Sequence, residues 1–370
     1  MRVMFVVGAR PNFMKAAPIL SEMRRQPQIF EPVLVHTGQH YDDNMSAAFF
    51  HDLELAAPDV QLGVGSGSHS EQTARILIAL EPEILRRRPD LMVVVGDVNS
   101  TLAATLVCAK LAVPVAHVEA GLRSFDRSMP EEINRILTDQ LSDLLFTTEA
   151  SAEGNLRREG ITPEKIHFVG NVMIDSLVRA LPKARSATVL SDLGLTPQQY
   201  AVVTLHRPSN VDDPEVLEQI LSGLERIAAA LPVIFPVHPR TQKRFGTRQT
   251  PSLRLIDPVP YLHFLGLVSS ARLVLTDSGG LQEETTYLGI PCLTLRPSTE
   301  RPITVELGTN RLVDSRADAI ENAAREALTT TREARARAEP PLWDGRAACR
   351  IVEILRRGRI DGRLRSAVSA

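Results

Sequence analysis

The stretch LMVVVGDVNSTLAATLVCAKLAVPVAHVEAG, residues 91 to 121, holds one whole unit of the fold. It opens on a short apolar run, LMVVVGD (91 to 97), continues through the helical pattern STLAATLVCAKLA, and closes on VPVAHVEAG (113 to 121). Apolar runs without polar alternation are strands covered on both faces, and a helix between two of them is the crossover of a parallel pair.

Outward from this unit the rhythm repeats. VMFVVG (3 to 8) and PVLVHTG (32 to 38) precede it, with PEILRRR as a helical segment before the third strand. LLFTT (144 to 148) and IHFVGN (166 to 171) follow it. After a less regular stretch at 171 to 198 the pattern restarts with AVVTLHR (201 to 207), VIFPVHP (233 to 239), LRLIDP (253 to 258), RLVLTDSGG (272 to 280) and PCLTLR (291 to 296). A chain of 370 residues exceeds what one core usually organises, and two βαβ series give two doubly wound α/β domains facing one another, 1 to 170 and 171 to 344. GRAACRIVEIL (345 to 355) reads as a closing helix, and the alanine and arginine run at 332 to 339 as an exposed one.

Composition narrows the function classes. A net charge of −2, with 44% hydrophobic and 23% charged residues, is that of an ordinary globular protein. The cationic cluster Arg356, Arg357, Arg359, Arg363 and Arg365 reads as a solvated terminus, and no basic stripe suggests nucleic acid as a partner. Cys108, Cys292 and Cys349 stand far apart with no CxxC pair, so neither a disulfide framework nor a metal site is expected. The N-terminal apolar run is too short for a signal segment, and no run reaches the roughly 18 residues of a membrane span. The expected location is the cytoplasm.

Open parallel sheets bind ligands beyond the carboxyl ends of their strands. The residues there are unusually polar: Gly8-Ala9-Arg10-Pro11 with Lys15 one turn on, Gly96-Asp97, His117-Val118-Glu119, His206-Arg207, His238-Pro239-Arg240, Asp277-Ser278-Gly279-Gly280 and Arg296. Five of the nine histidines, His36, His40, His117, His206 and His238, are expected at or just past strand ends. Any one of them alone reads equally well as an interior histidine bonded to a backbone carbonyl; their joint placement argues for a site.

Asp277-Ser278-Gly279-Gly280 leads into LQEETTYLG, so small residues and free N–H groups open a helix, an arrangement suited to phosphate. Arg10 and Arg301 are candidates for further diphosphate contacts. Asp97, Glu119 and Glu131 are the candidate acid and base groups, on the expectation that burial and mutual repulsion tune them for proton transfer. For Glu131 the plain alternative is a favourable helix start at Pro130-Glu131-Glu132 with an i, i+4 pair to Arg135. The glycines at 63, 65 and 67 do not form GxGxxG and follow no apolar run, while GxxxxGK[ST], HExxH and GxSxG are absent. That disfavours nicotinamide, NTP-hydrolysing, zinc-protease and α/β-hydrolase chemistry.

With HVEAGLRS (117 to 124), MPEEINRILTDQ (129 to 140), TDSGGLQEE (276 to 284) and TERP (299 to 302) in this order, the chain resembles the non-hydrolysing UDP-N-acetylglucosamine 2-epimerases from Gly8 to about Leu355. The resemblance implies a GT-B-like fold of two Rossmann-like domains, with 345 to 370 returning to the first, and a homodimer. It implies interconversion of UDP-GlcNAc and UDP-ManNAc by anti elimination of UDP and its re-addition, without a cofactor. Carried over by motif, Asp97, Glu119, Glu131, His206 and Lys15 form the catalytic group. Arg10, Arg135, His238, Phe264, Ser278, Gly279, Gly280, Glu284 and Arg301 are implied to bind the UDP-sugar.

Two departures stand out. His206-Arg207-Pro208-Ser209-Asn210 carries Ser209 where the family usually has Glu, which bears on the hexose. Gln39-His40-Tyr41-Asp42-Asp43-Asn44-Met45 has Tyr41 where many bacterial members have Arg, so activation by a second UDP-GlcNAc is expected to be weak or absent. Alternatives in view are 2-epimerisation of a related sugar such as UDP-2,3-diacetamido-glucuronic acid, a GT-B glycosyltransferase, and a binding protein with a dead site. The carboxylates and TERP weigh against the glycosyltransferase, and the complete set of carried-over residues weighs against the last.

Overall fold

The structure is a computed structural model and describes residues 1–38, 52–237, 252–329 and 339–360. His40, the segment from Gln39 to Met45, His238 and the run at 332 to 338 therefore lie outside the described residues. The chain forms two compact units, Met1–Ser176 joined by the chain from Pro341 onward, and Leu177–Pro340.

The first unit holds strands β1 (Arg2–Val7), β2 (Glu31–His36), β3 (Val60–Gln61), β4 (Leu91–Val95), β5 (Val115–Ala120), β6 (Leu144–Thr147) and β7 (Ile166–Phe168) in one sheet of order β3-β2-β1-β4-β5-β6-β7. Every neighbouring pair is parallel. The second unit repeats the plan with β8 (Ala201–Thr204), β9 (Val233–Pro236), β10 (Leu253–Ile256), β11 (Leu273–Thr276), β12 (Cys292–Leu295) and β13 (Asn310–Val313) in the order β10-β9-β8-β11-β12-β13.

Both sheets reverse winding at the same place, between their first and fourth strands, β1 beside β4 and β8 beside β11. Alternate residues supply two cores. In the second unit Ala201, Val203, Val233 and Phe235 pack on one side with Ile220, Leu224 and Ile320, while Val202, Ile234 and Val274 pack on the other with Leu267 and Val268. In the first, Met4, Val6, Met92 and Val94 meet Leu80, Ile84, Ala104 and Val107. Such two-sided burial is why the strands read as unbroken apolar runs.

The helices of the first unit are α1 (Arg10–Arg24), α2 (His69–Arg87), α3 (Asn99–Lys110), α4 (Pro130–Leu141) and α5 (Ala150–Arg158). The stretch from 171 to 198, read as irregular, is helical: α6 (Val172–Arg185) and the short α7 (Val189–Asp192). Residues 172 to 177 are all buried, which erases the amphipathic period, and Pro182 interrupts the pattern further. The second unit adds α8 (Pro208–Val211), α9 (Pro214–Ala228), α10 (Tyr261–Ser269), α11 (Gly279–Leu288), α12 (Pro302–Glu306) and α13 (Ala317–Thr329). Two strands escaped the sequence reading. β3 has two residues, and it does precede the glycines at 63, 65 and 67; β13 carries the exposed Arg311 in its middle.

The last helix, α14 (Ala347–Ile360), packs on α1 and runs five residues past the expected end. Arg356 and Arg357 lie within it, both paired to Glu353. Its first turn is held by the buried carboxylate of Asp175, which accepts the N–H groups of Ala347 (3.1 Å) and Ala348 (2.8 Å). Helix starts leave such donors unsatisfied, and a side-chain acceptor there is worth about 1–2 kcal/mol. Asp175→Ala is therefore expected to lower unfolding free energy by roughly 1–2 kcal/mol, read as a lower urea midpoint at unchanged slope.

Candidate active site

The residues after each winding reversal carry the polar groups singled out from the sequence. In the first unit, Lys15 lies in the second turn of α1, with its side chain buried at the end of the sheet. Its Nζ donates to Glu119 Oε1 at 2.7 Å, and both side chains are nearly inaccessible. Glu119 sits on a bulge in β5, where the register with β6 shifts between Val118 and Ala120. Its φ of 71° is left-handed, a conformation costing a non-glycine residue roughly 1–3 kcal/mol that the surroundings must supply.

Asp97 follows β4 across Gly96. Its Oδ2 accepts Arg135 Nη1 at 2.5 Å, and a quarter of its side chain remains exposed. Arg135 is also gripped by Glu132, at 2.7 and 2.9 Å. Burial alone would raise the Glu132 carboxyl, but N–H donors from Ser124 and Phe125 together with Arg135 hold it below the ordinary value. The i, i+4 pair expected between Glu131 and Arg135 is thus replaced by an i, i+3 pair to Glu132. At the third position of α4 Glu132 reaches both the preceding loop and the guanidinium, while Glu131 stands half-buried one residue earlier. Asp97 and Glu119 each face a cation rather than one another, so the mutual repulsion expected of them is not what their neighbours supply.

Gly96 permits this arrangement. It has φ 67°, and a Cβ there would lie 2.8 Å from Lys15 Nζ. His117 was expected past a strand end; it is instead inside β5 and fully buried, with Nδ1 2.6 Å from Asp139 and Nε2 donating to the Gly96 carbonyl at 2.9 Å. His36 is the last residue of β2, set edge-on against Phe13, and burial lowers its pKa. Arg10 is exposed at the first position of α1.

In the second unit His206 and Asp277 lie just past β8 and β11, the strands that flank the reversal. His206 Nδ1 is 2.7 Å from Asp277 Oδ1, with the ring 64% exposed and the carboxylate buried. The same carboxylate accepts the N–H groups of His206 and Arg207 and the amide of Asn210. Burial would push the Asp277 carboxyl up; the His206 ring and these donors bring it below its ordinary value. Asn210, the last residue of the histidine motif, is therefore a holder of Asp277, whereas Ser209, at the departure from the family pattern, is exposed on α8.

Ser278 is the N-cap of α11, and Gly279 and Gly280 open the helix. A Cβ on Gly279 would come within 2.4 Å of Arg301 Nη1 and 2.8 Å of Glu300 Oε1, so the close approach needs glycine. Arg301, rather than standing free, is held by Glu283 at 2.8 Å and by Glu300, which also takes Arg296 at 2.7 Å. Burial opposes ionisation of Glu300, yet the two guanidinium groups drive its pKa far down. Thr299 Oγ1 donates to Gln282 in α11, tying the TERP segment to this helix. Glu284 is buried on α11, and Phe264 on α10 packs against the apolar cluster beneath.

The sequence reading did not single out Asp277 as the partner of His206, Glu132 as the holder of Arg135, or Asp139. Only the first had a usable signal, an acidic residue directly after an apolar run.

The UDP-N-acetylglucosamine 2-epimerase family model matches residues 21–356. The chain belongs to that family. With it the chain falls among the nucleotide-sugar isomerases. A Methanocaldococcus jannaschii UDP-GlcNAc 2-epimerase, solved with UDP-GlcNAc and UDP, is 42% identical with a TM-score of 0.89, covering 97% of this chain and 100% of that one. The UDP-2,3-diacetamido-2,3-dideoxy-D-glucuronate 2-epimerase of Pseudomonas aeruginosa is 45% identical over 338 residues, 90% of this chain and 93% of its own. A glycosyltransferase structure, that of kitacinnamycin, matches at 12% identity and a TM-score of 0.62, which shows a shared fold alone. The epimerase family fold is the two parallel-sheet α/β units described above.

The depressed Asp277 carboxyl fixes a sign. Its stabilising contribution is complete above the ordinary aspartate value near 4 and is lost as pH falls through the lower folded value. Urea denaturation at pH 7 is expected to find Asp277→Asn less stable than wild type, and the gap is expected to narrow below pH about 4.

Proposed function

We propose that this protein interconverts UDP-GlcNAc and UDP-ManNAc. The observation that carries this reading is the pairing, in one chain of this family, of buried carboxylates on a cation with a glycine-opened helix start. The first set suits proton transfer at C2, the second a diphosphate. A base removes the C2 proton as the C1–O bond breaks; UDP leaves with the bonding pair and 2-acetamidoglucal remains. UDP then re-adds at C1 while a proton returns to the opposite face of C2. Asp97, Glu119, Glu131 and His206 are the groups proposed to exchange these protons, with Lys15 beside Glu119 supplying positive charge. Asp277 fixes the His206 ring by its Nδ1, leaving Nε2 for proton exchange.

The helix start at Gly279 and Gly280, with Ser278, is proposed to take the phosphates, whose charge suits its N–H groups. Arg10, Arg135, Phe264, Glu284 and Arg301 complete the proposed contacts, Phe264 beside the uracil; His238 belongs to the same proposal but lies outside the described residues. Retaining UDP between the two steps keeps the reaction an epimerisation rather than a hydrolysis.

A second reading, 2-epimerisation of UDP-2,3-diacetamido-glucuronic acid, is favoured by the Pseudomonas aeruginosa relative at 45% identity. Purified protein is to be incubated with each UDP-sugar separately in D2O and followed by NMR. Deuterium at C2 with UDP-ManNAc as product is expected from UDP-GlcNAc; exchange with the diacetamido sugar alone would assign the second reading.

The protein is also proposed to work as a cytoplasmic homodimer. Among the described residues no helix is long and apolar enough to cross a membrane, and Cys108, Cys292 and Cys349 form no disulfide with one another. Ile133, Leu137 and Leu141 form an exposed i, i+4, i+8 stripe on α4, and Ile78 and Leu85 stand exposed one heptad apart on α2. Helices α2, α3 and α4 pack in that order. An apolar face of this kind suits the self-matching contact of a two-fold pair. Light scattering is expected to give twice the 40.7 kDa chain mass, and Leu137→Asp to shift it toward one chain.

A further inference from the structure

Asp139 lies in α4, and its carboxylate is fully enclosed. Oδ1 takes His117 Nδ1 at 2.6 Å, while Oδ2 takes the Gly121 N–H at 3.1 Å and Arg123 Nη1 at 2.7 Å. Arg123 is anchored in turn by Glu159 at 2.6 and 2.8 Å. Burial would raise the Asp139 carboxyl, but His117 and Arg123 hold it below the ordinary value. The other nitrogen of His117 meets the Gly96 carbonyl at 2.9 Å, so the ring is held from both sides.

His117 is two residues before Glu119, and Gly121 is two residues after it. One carboxylate therefore clasps the strand on both sides of the bulge. Three residues span the interval between the clasped positions, and the one in the middle is the one that turns left-handed. Through His117 the same group reaches Gly96, whose N–H donates to Val118 O at 3.0 Å and whose successor is Asp97.

We propose that Asp139, acting through His117 and Gly121, is the positioning residue that holds Glu119 in its left-handed conformation with its carboxylate on Lys15. This role rests on the reading of Glu119 as a proton-exchanging group in the proposed epimerisation. Asp139 touches no reacting atom in it. Its contribution is to spare Glu119 the search among extended conformations, in which the side chain would point across the sheet instead of toward α1.

The test is a double-mutant cycle of Asp139→Asn with Glu119→Gln, following deuterium incorporation at C2 of UDP-GlcNAc over long incubations, with UDP affinity measured alongside. Asp139→Asn keeps the shape and one acceptor oxygen but cannot serve His117, Gly121 and Arg123 together. Turnover is expected to fall about 30- to 100-fold with KM and UDP affinity unchanged, the scale of a catalytic group displaced by about 1 Å. In the Glu119→Gln background the same change is expected to lower the remaining rate less than about threefold, because the group it positions is already gone. A full, additive loss there, or a parallel loss of UDP affinity, would overturn the role. Should Asp139→Asn fail to fold, His117→Gln, which leaves the bonds to Gly121 and Arg123, replaces it in the cycle under the same two criteria. A wild type that exchanges nothing at C2 of either UDP-sugar would overturn the function itself and this role with it; an active wild type with an additive cycle would overturn the role alone.

Discussion

Winding direction governs where chemistry can be placed in this protein. Parallel strands joined by right-handed crossovers send their helices to one face or the other, and at the pair where winding reverses the two following connections part. Backbone and side chains beyond those two strands are left without a covering helix. Both sheets reverse between first and fourth strands, and in each the residues beyond those ends include charged and polar groups, each held by a partner: Lys15 and Asp97 after β1 and β4, His206 and Asp277 after β8 and β11. Lys15 is set by the helix that follows β1, and Asp97, His206 and Asp277 stand within two residues of a strand end, so short connections from regular elements position all four.

Burying charge near these ends is tolerable only in pairs. An isolated buried ion costs several kcal/mol, and removing one member of a buried pair costs roughly 3–5 kcal/mol. Lys15 with Glu119, Arg135 with Glu132 and Asp97, and Arg301 with Glu283 and Glu300 all follow this rule. The same pairing answers two needs at once. It holds the carboxyls of Glu132 and Glu300 below their ordinary values in spite of burial, and it ties long, flexible cations to fixed partners.

The strands other than β3 and β13 were legible because parallel β-structure buried on both faces leaves a strong trace, and the turn at Asp277-Ser278-Gly279-Gly280 because glycine and small residues mark a helix start. What escaped was set by tertiary packing. The helix over 172 to 185 is buried too evenly in its first half to show a period. His117 resembled its neighbours in polarity yet lies inside the sheet, since only the position of Asp139, 22 residues on, decides that its ring is satisfied there. The choice of Glu132 over Glu131 as the partner of Arg135 turns on which side of the helix meets the preceding loop. The bulge at Glu119 has no local signature at all, because glutamate is a poor choice for a left-handed backbone and is forced into it from both sides.

The cap that Asp175 places on α14 also constrains how the chain is made. Residues 177 to 340 form a unit of their own, set between the two parts of the first. Synthesis runs from the N-terminus, at about 5–20 residues per second, so the covering helix of α1 emerges only after the second unit. During translation the first unit must wait, with an apolar helix face uncovered, while an entire second unit is made. Its final locking step joins positions 172 and 173 residues apart in the chain. Nascent chains shortened before Ala347 lack the partner for Asp175 altogether, which makes the start of α14 a checkpoint that the second unit has already been made.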